Sequence, residues 1–506
     1  MASGARAIGA VAVLLVAAPL AAVAFRAGGL SLSPADWAAL RFTLWQAALS
    51  ALISVALAVP VARALARRRF PGRSALITLM GAPFLLPVIV AVMGLLALFG
   101  RGGAVNAALS ALGLPALSIY GLQGVLIAHV FLNLPLATRM ILQGWLAIPA
   151  ERFRLAESLS FTPAQTFRHL ERPMLAEVLP GALATVFALC LTSFAVALIL
   201  GGGPRATTLE LAIYQAVRFD FDLAHAAGLA LVQVLVGGAA ALAAWAAARQ
   251  AGFGAGLDRE IPLTAPAGWR LGADALALGL AALFLLAPMA AVVIKGAPGL
   301  MDLPAQVWPA LARSVLVALA SVLLTLGAAL GLALGAARGL RWLDIAAALP
   351  LATSGLVLGT GLFLLVHPLA PPTSLALPVT VMVNALLALP FAFRLLAPEA
   401  LALKADYGRL ADSLDLRGPA RLRLLILPRL ARPLGFAAGL VAALSMGDLG
   451  VIALFAGEQQ ATLPLVIQRL TAAYRMEAAA GASLLLVTAS LALFWIMDRR
   501  GRHAAA

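Results

Sequence analysis

The sequence predicts an all-α, polytopic membrane protein of about 12 transmembrane helices, built as a fused 6+6 internal duplication. Three observations carry this prediction. Of 506 residues, 63% are hydrophobic and only 11% charged, whereas soluble domains carry about 25% charge. Apolar runs long enough for a ~30 Å hydrocarbon core recur along the whole chain. Two basic, proline-bearing stretches, 255 residues apart, repeat one another between those runs.

The runs give spans near 8–25, 42–65, 76–99, 118–142, 178–200, 225–248, 272–294, 312–336, 344–367, 374–397, 433–456 and 480–497. Arg6 ahead of the first run resembles the start of a signal peptide, but further spans follow, so this run is read as a retained helix. Orientation follows from charge. With the N-terminus inside, 27 of the 36 Lys and Arg fall on the inner side and 9 outside, matching the basic excess of cytoplasmic loops. The inner group includes Arg63, Arg67, Arg68, Arg69, Arg73, Arg338 and Arg341. Both termini and both repeated stretches are thus expected in the cytoplasm. The net charge of +15 belongs to this asymmetry. It is dispersed between apolar runs, so lipid and not nucleic acid is the expected neighbour.

The first repeated stretch runs from Glu151 to Pro173 and the second from Asp406 to Pro428. In register they share Arg154/Arg409, Leu155/Leu410, Ala156/Ala411, Ser158/Ser413, Leu159/Leu414 and Pro173/Pro428, and Glu157 answers Asp412. Each predicts helix, tight turn, helix. In the first, Thr162 is an N-cap, Pro163 the first helical residue and Gln165 the reciprocal capping partner. Ala164, Phe167 and Leu170 follow at spacing three beside Arg168, and Pro173 is expected to end or kink the helix. In the second, Gly418-Pro419 opens a similar helix with Leu422, Leu425 and Ile426 apolar and Arg421 basic, closed by Pro428. One such element fits an amphipathic helix resting on lipid. Two in matching places fit docking points for two identical soluble partners.

The duplication extends beyond the hairpins. Trp37 and Thr43 answer Trp308 and Ser314 at offset 271; Pro83 and Gly94 answer Pro350 and Gly361 at 267; Thr208-Leu209 answers Thr462-Leu463 at 254. Six spans per half is even, so the halves have parallel topology about an axis along the membrane normal. The first repeat is expected over 1–248 with its hairpin at 150–175, a Gly- and Pro-bearing linker over 249–271, and the second repeat over 272–506 with its hairpin at 405–430.

These residues resemble the cytoplasmic loop motif of the permease subunits of binding-protein-dependent ABC importers, EAA, three residues, Gly, nine residues, then I-x-L-P. Ala156 and Ala411 match the second alanine, and Leu170 and Leu425 take the Ile position. Leu427-Pro428 matches the ending, while Arg172-Pro173 keeps only the proline. The chain departs where the leading Glu is Arg154 or Arg409 and the Gly is Ser160 or Asp415. A turn Gly supplies φ > 0, which Asp tolerates better than Ser. The fused layout is similar to the iron(III) and thiamine permease branch. Met446 to Phe455, Thr462-Leu463-Pro464, Ile467 to Leu470 and Tyr474-Arg475 are closest to the thiamine permeases.

The resemblance implies two copies of a cytoplasmic ATP-binding subunit docked on the hairpins. A periplasmic thiamine-binding protein would deliver thiamine or a phosphate ester, and ATP-driven closure would swing the hairpins together. ATP and Mg would sit on the partner, with no cofactor in this chain. Independently, a phosphate-cradling loop needs G-x-x-x-x-G-K-[ST], and neither of the two lysines, Lys295 and Lys404, follows Gly. His129, His169, His225, His367 and His503 are scattered and Cys190 is alone, so no catalytic residue and no metal site is expected. Ionisable and amide groups inside spans are candidates for a substrate path: Asp448 in span eleven, Asn133 in span four and Gln233 in span six. The alternatives are an iron(III) or polyamine importer permease and a twelve-span secondary transporter. The last has no need of a repeated hairpin between spans four and five.

Overall fold

The computed structural model describes residues 2–27, 32–81, 85–203, 206–247 and 268–504, and no strand occurs among them. Eleven helices among these residues are long and apolar enough to cross a membrane, and one bent pair makes a twelfth. The predicted class is therefore observed. Pro83 and residues 249–267 of the expected linker lie outside the described residues; residues 269–271 of that linker already belong to a helix.

The first half opens with α1 (Ala2–Arg26) and α2 (Pro34–Arg67). Ser33 starts α2 through a capping box: its Oγ accepts from the Asp36 amide at 3.2 Å, and Asp36 accepts from the Ser33 amide at 2.8 Å, with Pro34 in the first turn. Then come α3 (Arg73–Leu79), α4 (Val88–Phe99), α5 (Ala104–Ala111) and α6 (Leu122–Ala147). The first hairpin holds α7 (Ala150–Ser158) and α8 (Pro163–Thr166) and leads into α9 (Arg172–Leu191). The half closes with α10 (Phe194–Leu200), α11 (Leu209–Arg218) and α12 (Leu223–Ala247).

The second half begins with α13 (Trp269–Gly299), α14 (Val307–Ala336), α15 (Trp342–Ala348), α16 (Gly355–Val366) and α17 (Ala376–Ser413). Its hairpin continues through α18 (Gly418–Arg421) and α19 (Leu427–Arg429). It ends with α20 (Ala431–Met446), α21 (Gly450–Phe455), α22 (Leu463–Ala472) and α23 (Met476–Ala504).

Several predicted continuous spans are broken. Span five stops at Thr192-Ser193 between α9 and α10, and span eleven at Gly447–Leu449 between α20 and α21. Span nine bends by 92° between Trp342–Ala352 and Gly355–Val366. Ser354 supplies the reason at this bend: its hydroxyl accepts from the Val357 amide at 3.2 Å, so a new helix starts there instead of the old one continuing. Span three resumes at α4 after Pro87, which stands as its N-cap.

Of the two outcomes expected at Pro173, an end to the helix or a kink, the helix does not end. The chain stays helical through a π-turn, Phe167–Glu171, directly into α9. The Arg172 amide reaches back to the Phe167 carbonyl, and this widened turn accommodates the proline ring that would clash in a regular α-turn. The same π-turn, Leu422–Ile426, precedes Pro428 at offset 255. The halves differ at Pro149, which separates α6 from α7; the matching position is Lys404, inside the unbroken α17.

Packing is reciprocal. Helix α1 lies on α14, α15 and α16 of the second half, and α13 lies on α2 and α4 of the first. Two glycines paired in the sequence make these crossings close. A Cβ on Gly94 would stand 2.5 Å from the Pro288 carbonyl oxygen of α13, and a Cβ on Gly361 would strike the Pro19 carbonyl of α1. Small residues permit such approach where lipid supplies no hydrophobic drive between helices. Another paired contact recurs: the Leu209 amide donates to Thr43 Oγ1 at 2.9 Å, and the Leu463 amide to Ser314 Oγ at 2.8 Å.

Candidate functional site

Both hairpins turn by the same device. The Phe161 amide bonds the Ala156 carbonyl at 2.8 Å and the Ser160 amide bonds the Glu157 carbonyl at 2.9 Å. In the second, Leu416 bonds Ala411 at 2.9 Å and Asp415 bonds Asp412 at 3.2 Å. This is a Schellman ending, which demands a left-handed residue after the cap. Ser160 (φ 53°) and Asp415 (φ 49°) take that conformation although neither is glycine. Ala156 and Ala411 are buried under the turn, where a larger side chain would lift it from its base. The capping box at Thr162 and Gln165 forms as the sequence predicts.

The outer surfaces of the hairpins are open and mixed, with Leu155, Leu159, Leu410 and Leu414 exposed beside charged groups. Arg154 pairs with Glu151 at 3.0 Å, and Arg421 with Asp412 at 2.8 Å. Arg168, Arg409 and Glu157 are exposed, while Leu170 and Leu425 are half-buried against their own halves. Beside the second turn a groove of about 370 Å³ is lined by Arg338, Asp412, Asp415, Leu416, Arg417, Gly418 and Arg421.

The hairpins are held to the bundle differently. In the first, Glu171 is fully buried in the π-turn and bonds both Arg63, at 3.0 Å, and Arg67 of α2. In the second, the position matching Glu171 is Ile426, which packs with Leu403, Leu430, Leu422 and Tyr407. One anchor is ionic and the other apolar, at the same place in the turn.

A second polar region lies where the broken spans meet. Ser50 bonds His129 Nδ1 at 3.0 Å, and His129 Nε2 meets Ser193 at 2.7 Å at the break in span five. Gln46 and Gln233 donate to the Cys190 and Leu191 carbonyls at 3.0 and 2.9 Å, groups freed by that break. Asn133 donates to the His129 carbonyl at 2.9 Å and faces Cys190 Sγ. In the second half Asn384 donates to Ser445 at 3.0 Å, and Ser445 to Ser321 at 3.2 Å. Asn384 and Ser445 stand 255 residues after His129 and Cys190. Of the three path candidates, Asn133 and Gln233 are thus buried and bonded to neighbouring helices. Asp448 sits at the break in span eleven, its carboxylate against the Gly450, Val451 and Ile452 amides, with Oδ2 buried and unbonded.

Comparison with known proteins adds the decisive observation. The thiamine transport system permease protein ThiP of Salmonella typhimurium is 40% identical over 489 residues, covering 92% of this chain and 90% of its own length. That of Brucella abortus is 38% identical over 505 residues, covering 96% and 92%. The chain belongs to the thiamine transport system permease family. The Haemophilus influenzae member is 33% identical over 480 residues, covering 91% of this chain and 88% of its own. No protein-family model matches the chain.

Two residues of this thiamine-permease-family chain escaped sequence reasoning. Glu171 lies within a motif whose pattern does not specify that position, and only its contact with Arg63 and Arg67 gives it a role. Glu210, in α11, is 2% exposed. It falls between predicted spans five and six, so a search for ionisable groups inside spans passed over it. Its sequence signal is a lone acid between Leu209 and Leu211.

Proposed function

We propose that this chain is the membrane-spanning permease of an ATP-driven importer, carrying thiamine or its phosphate esters from periplasm to cytoplasm across a bacterial inner membrane. The end-to-end match to thiamine transport permeases carries this reading. The duplicated Schellman hairpins support it mechanically, because two equivalent handles accept two copies of one soluble subunit. Both handles and both termini face the cytoplasm, in keeping with the distribution of Lys and Arg. The chain is two repeats, 1–248 and 272–506, joined by a linker, and the recurrence of the Thr43 and Ser314 hydrogen bonds supports that division.

ATP and Mg are bound by two copies of a separate ATP-binding subunit, and a periplasmic thiamine-binding protein feeds the opposite face. Closure of the ATP-binding pair draws the hairpins together and shifts the halves about the reciprocal crossings of α1 and α13. The coupling surface comprises Arg154, Ala156, Glu157, Ser160, Arg168, Leu170 and Pro173 with Arg409, Ala411, Asp412, Asp415, Arg421, Leu425 and Pro428. Asp448 meets the substrate. The unbonded carboxylate oxygen at a helix break supports this, since a cation passing there needs an acidic neighbour to offset its lost hydration.

Reconstitution with the ATP-binding subunit and the receptor tests this directly. Vesicles are expected to take up labelled thiamine only when ATP is present on the hairpin side, with Asp448→Asn lowering uptake by about tenfold, the scale of one lost charge contact. The chain purified alone is expected to hydrolyse no ATP. Uptake that persists without ATP and collapses with the proton gradient would sink the importer reading.

A further inference from the structure

The breaks in the spans converge on one junction between the halves. A Cβ on Gly447 would stand 3.0 Å from Pro87 Cα, one on Gly450 3.8 Å from the Phe194 ring, and one on Gly355 3.6 Å from Val451. The starts of α4, α10, α16 and α21 therefore lie together, two from each half. Glu210 reaches into this junction from α11, which packs on α2, α10, α16 and α21. Its carboxylate faces the Phe194 backbone of the first half and the Ser354 side chain of the second. Its Oε1 is buried with no partner.

Two carboxylates, Glu210 from the first half and Asp448 from the second, thus meet the junction with one buried, unbonded oxygen each. Among the described residues no Lys, Arg or His forms an ion pair with either. A buried carboxylate is ordinarily paired, metal-bound or fully hydrogen-bonded. A fold that wanted only a latch between the halves could use a serine or an amide, as it does at Ser193 and Gln233. A carboxylate with a vacant acceptor is suited to a positively charged ligand.

We propose that Glu210 is a substrate-binding residue, acting with Asp448 as the counter-charge for a flat organic cation when the junction opens. This rests on the thiamine reading, because a thiazolium carries a fixed positive charge that no proton transfer can remove. Glu210 also explains how one ligand is sensed by both halves: the cation meets a carboxylate that lies against Phe194 of the first half and Ser354 of the second.

The test is equilibrium binding to the full permease–ATP-binding-subunit complex without receptor, using thiamine and an uncharged isostere with carbon in place of the thiazolium nitrogen. Glu210→Gln is expected to weaken thiamine binding at least tenfold while changing isostere binding less than twofold. Glu210→Asp is expected to retain preference for the cation. Unchanged thiamine affinity in Glu210→Gln, equal weakening of both ligands, or an unsubstituted complex that does not prefer the cation would each overturn the proposal. Equal weakening would mark Glu210 as structural. Vesicles of the unsubstituted complex run in parallel: failure to import thiamine there would sink the substrate reading itself, and this proposal with it.

Discussion

Glu171→Ala is expected to destabilise the first hairpin by about 3–5 kcal/mol, the cost of removing one partner from a buried ion pair. Glu171 is fully buried, and Arg67 has a side chain only 7% exposed. Truncation strands a guanidinium that cannot reach water without moving the end of α2. Arg63, a third exposed, can turn outward, so the penalty falls mainly on Arg67. The hairpin should then separate from α2, and thermal unfolding in detergent and recovery of bound ATP-binding subunit should fall together. The second half indicates the remedy. There the same position is Ile426 in an apolar cluster, and the residue matching Arg63 at offset 271 is Leu334. Arg63→Leu with Arg67→Met and Glu171→Ile is expected to recover most of the loss, because a buried ion cluster replaced by well-packed apolar groups is often neutral or stabilising. A single Glu171→Ala variant with unchanged melting would remove the ionic anchor from the account.

Gly361→Leu carries the next largest effect. The first helix crosses α16 so closely that even a Cβ at position 361 meets the Pro19 backbone. Backbone cannot swing aside as a flexible side chain does, so α1 must lift away, at a cost of about 1–3 kcal/mol or more. Gly94→Leu should act equally on the crossing of α4 with Pro288 of α13. The two sites share no partner, so their effects should add. Gly279→Leu is the control: it faces open space and should leave the melting temperature unchanged. Fluorescence-detected size exclusion after heating reads the three single variants and the Gly94→Leu/Gly361→Leu double variant. A Gly361→Leu protein as stable as the control would mean that α1 does not seat on the second half.

The contrast between what was legible and what was not follows from the range of the forces involved. The hairpins were legible because their turn is local: a cap, an alanine that must fit beneath it, and one left-handed residue, all within six positions. Even there, Ser160 adopts φ > 0 although serine itself does not favour it; the sign was its place at the motif's glycine position. The spans were legible because bilayer thickness sets their length. Their breaks were not, because a serine in an apolar run either bonds back within its helix, as Thr380 does to Ala376, or starts a new helix, as Ser354 does. Only neighbouring helices decide between these. The π-turn before Pro173 was hidden for a similar reason, since a proline signals a disrupted hydrogen bond but not which wider turn absorbs it. Asn133 and Gln233 drew notice as polar groups in lipid-depth helices. Glu210 carries a charge and is as deeply buried as Gln233, yet escaped because α11 is too short to register as a span.

The central claim is that two equivalent hairpins lie on one face of the membrane, where identical ATP-binding subunits grip them. Single cysteines at Ser160 and Asp415, both exposed, in a background where the buried Cys190 is replaced by alanine, test it most directly with a membrane-impermeant thiol reagent. Both positions are expected to label in inside-out vesicles and neither in right-side-out vesicles. Labelling of the two positions from opposite faces would contradict the account.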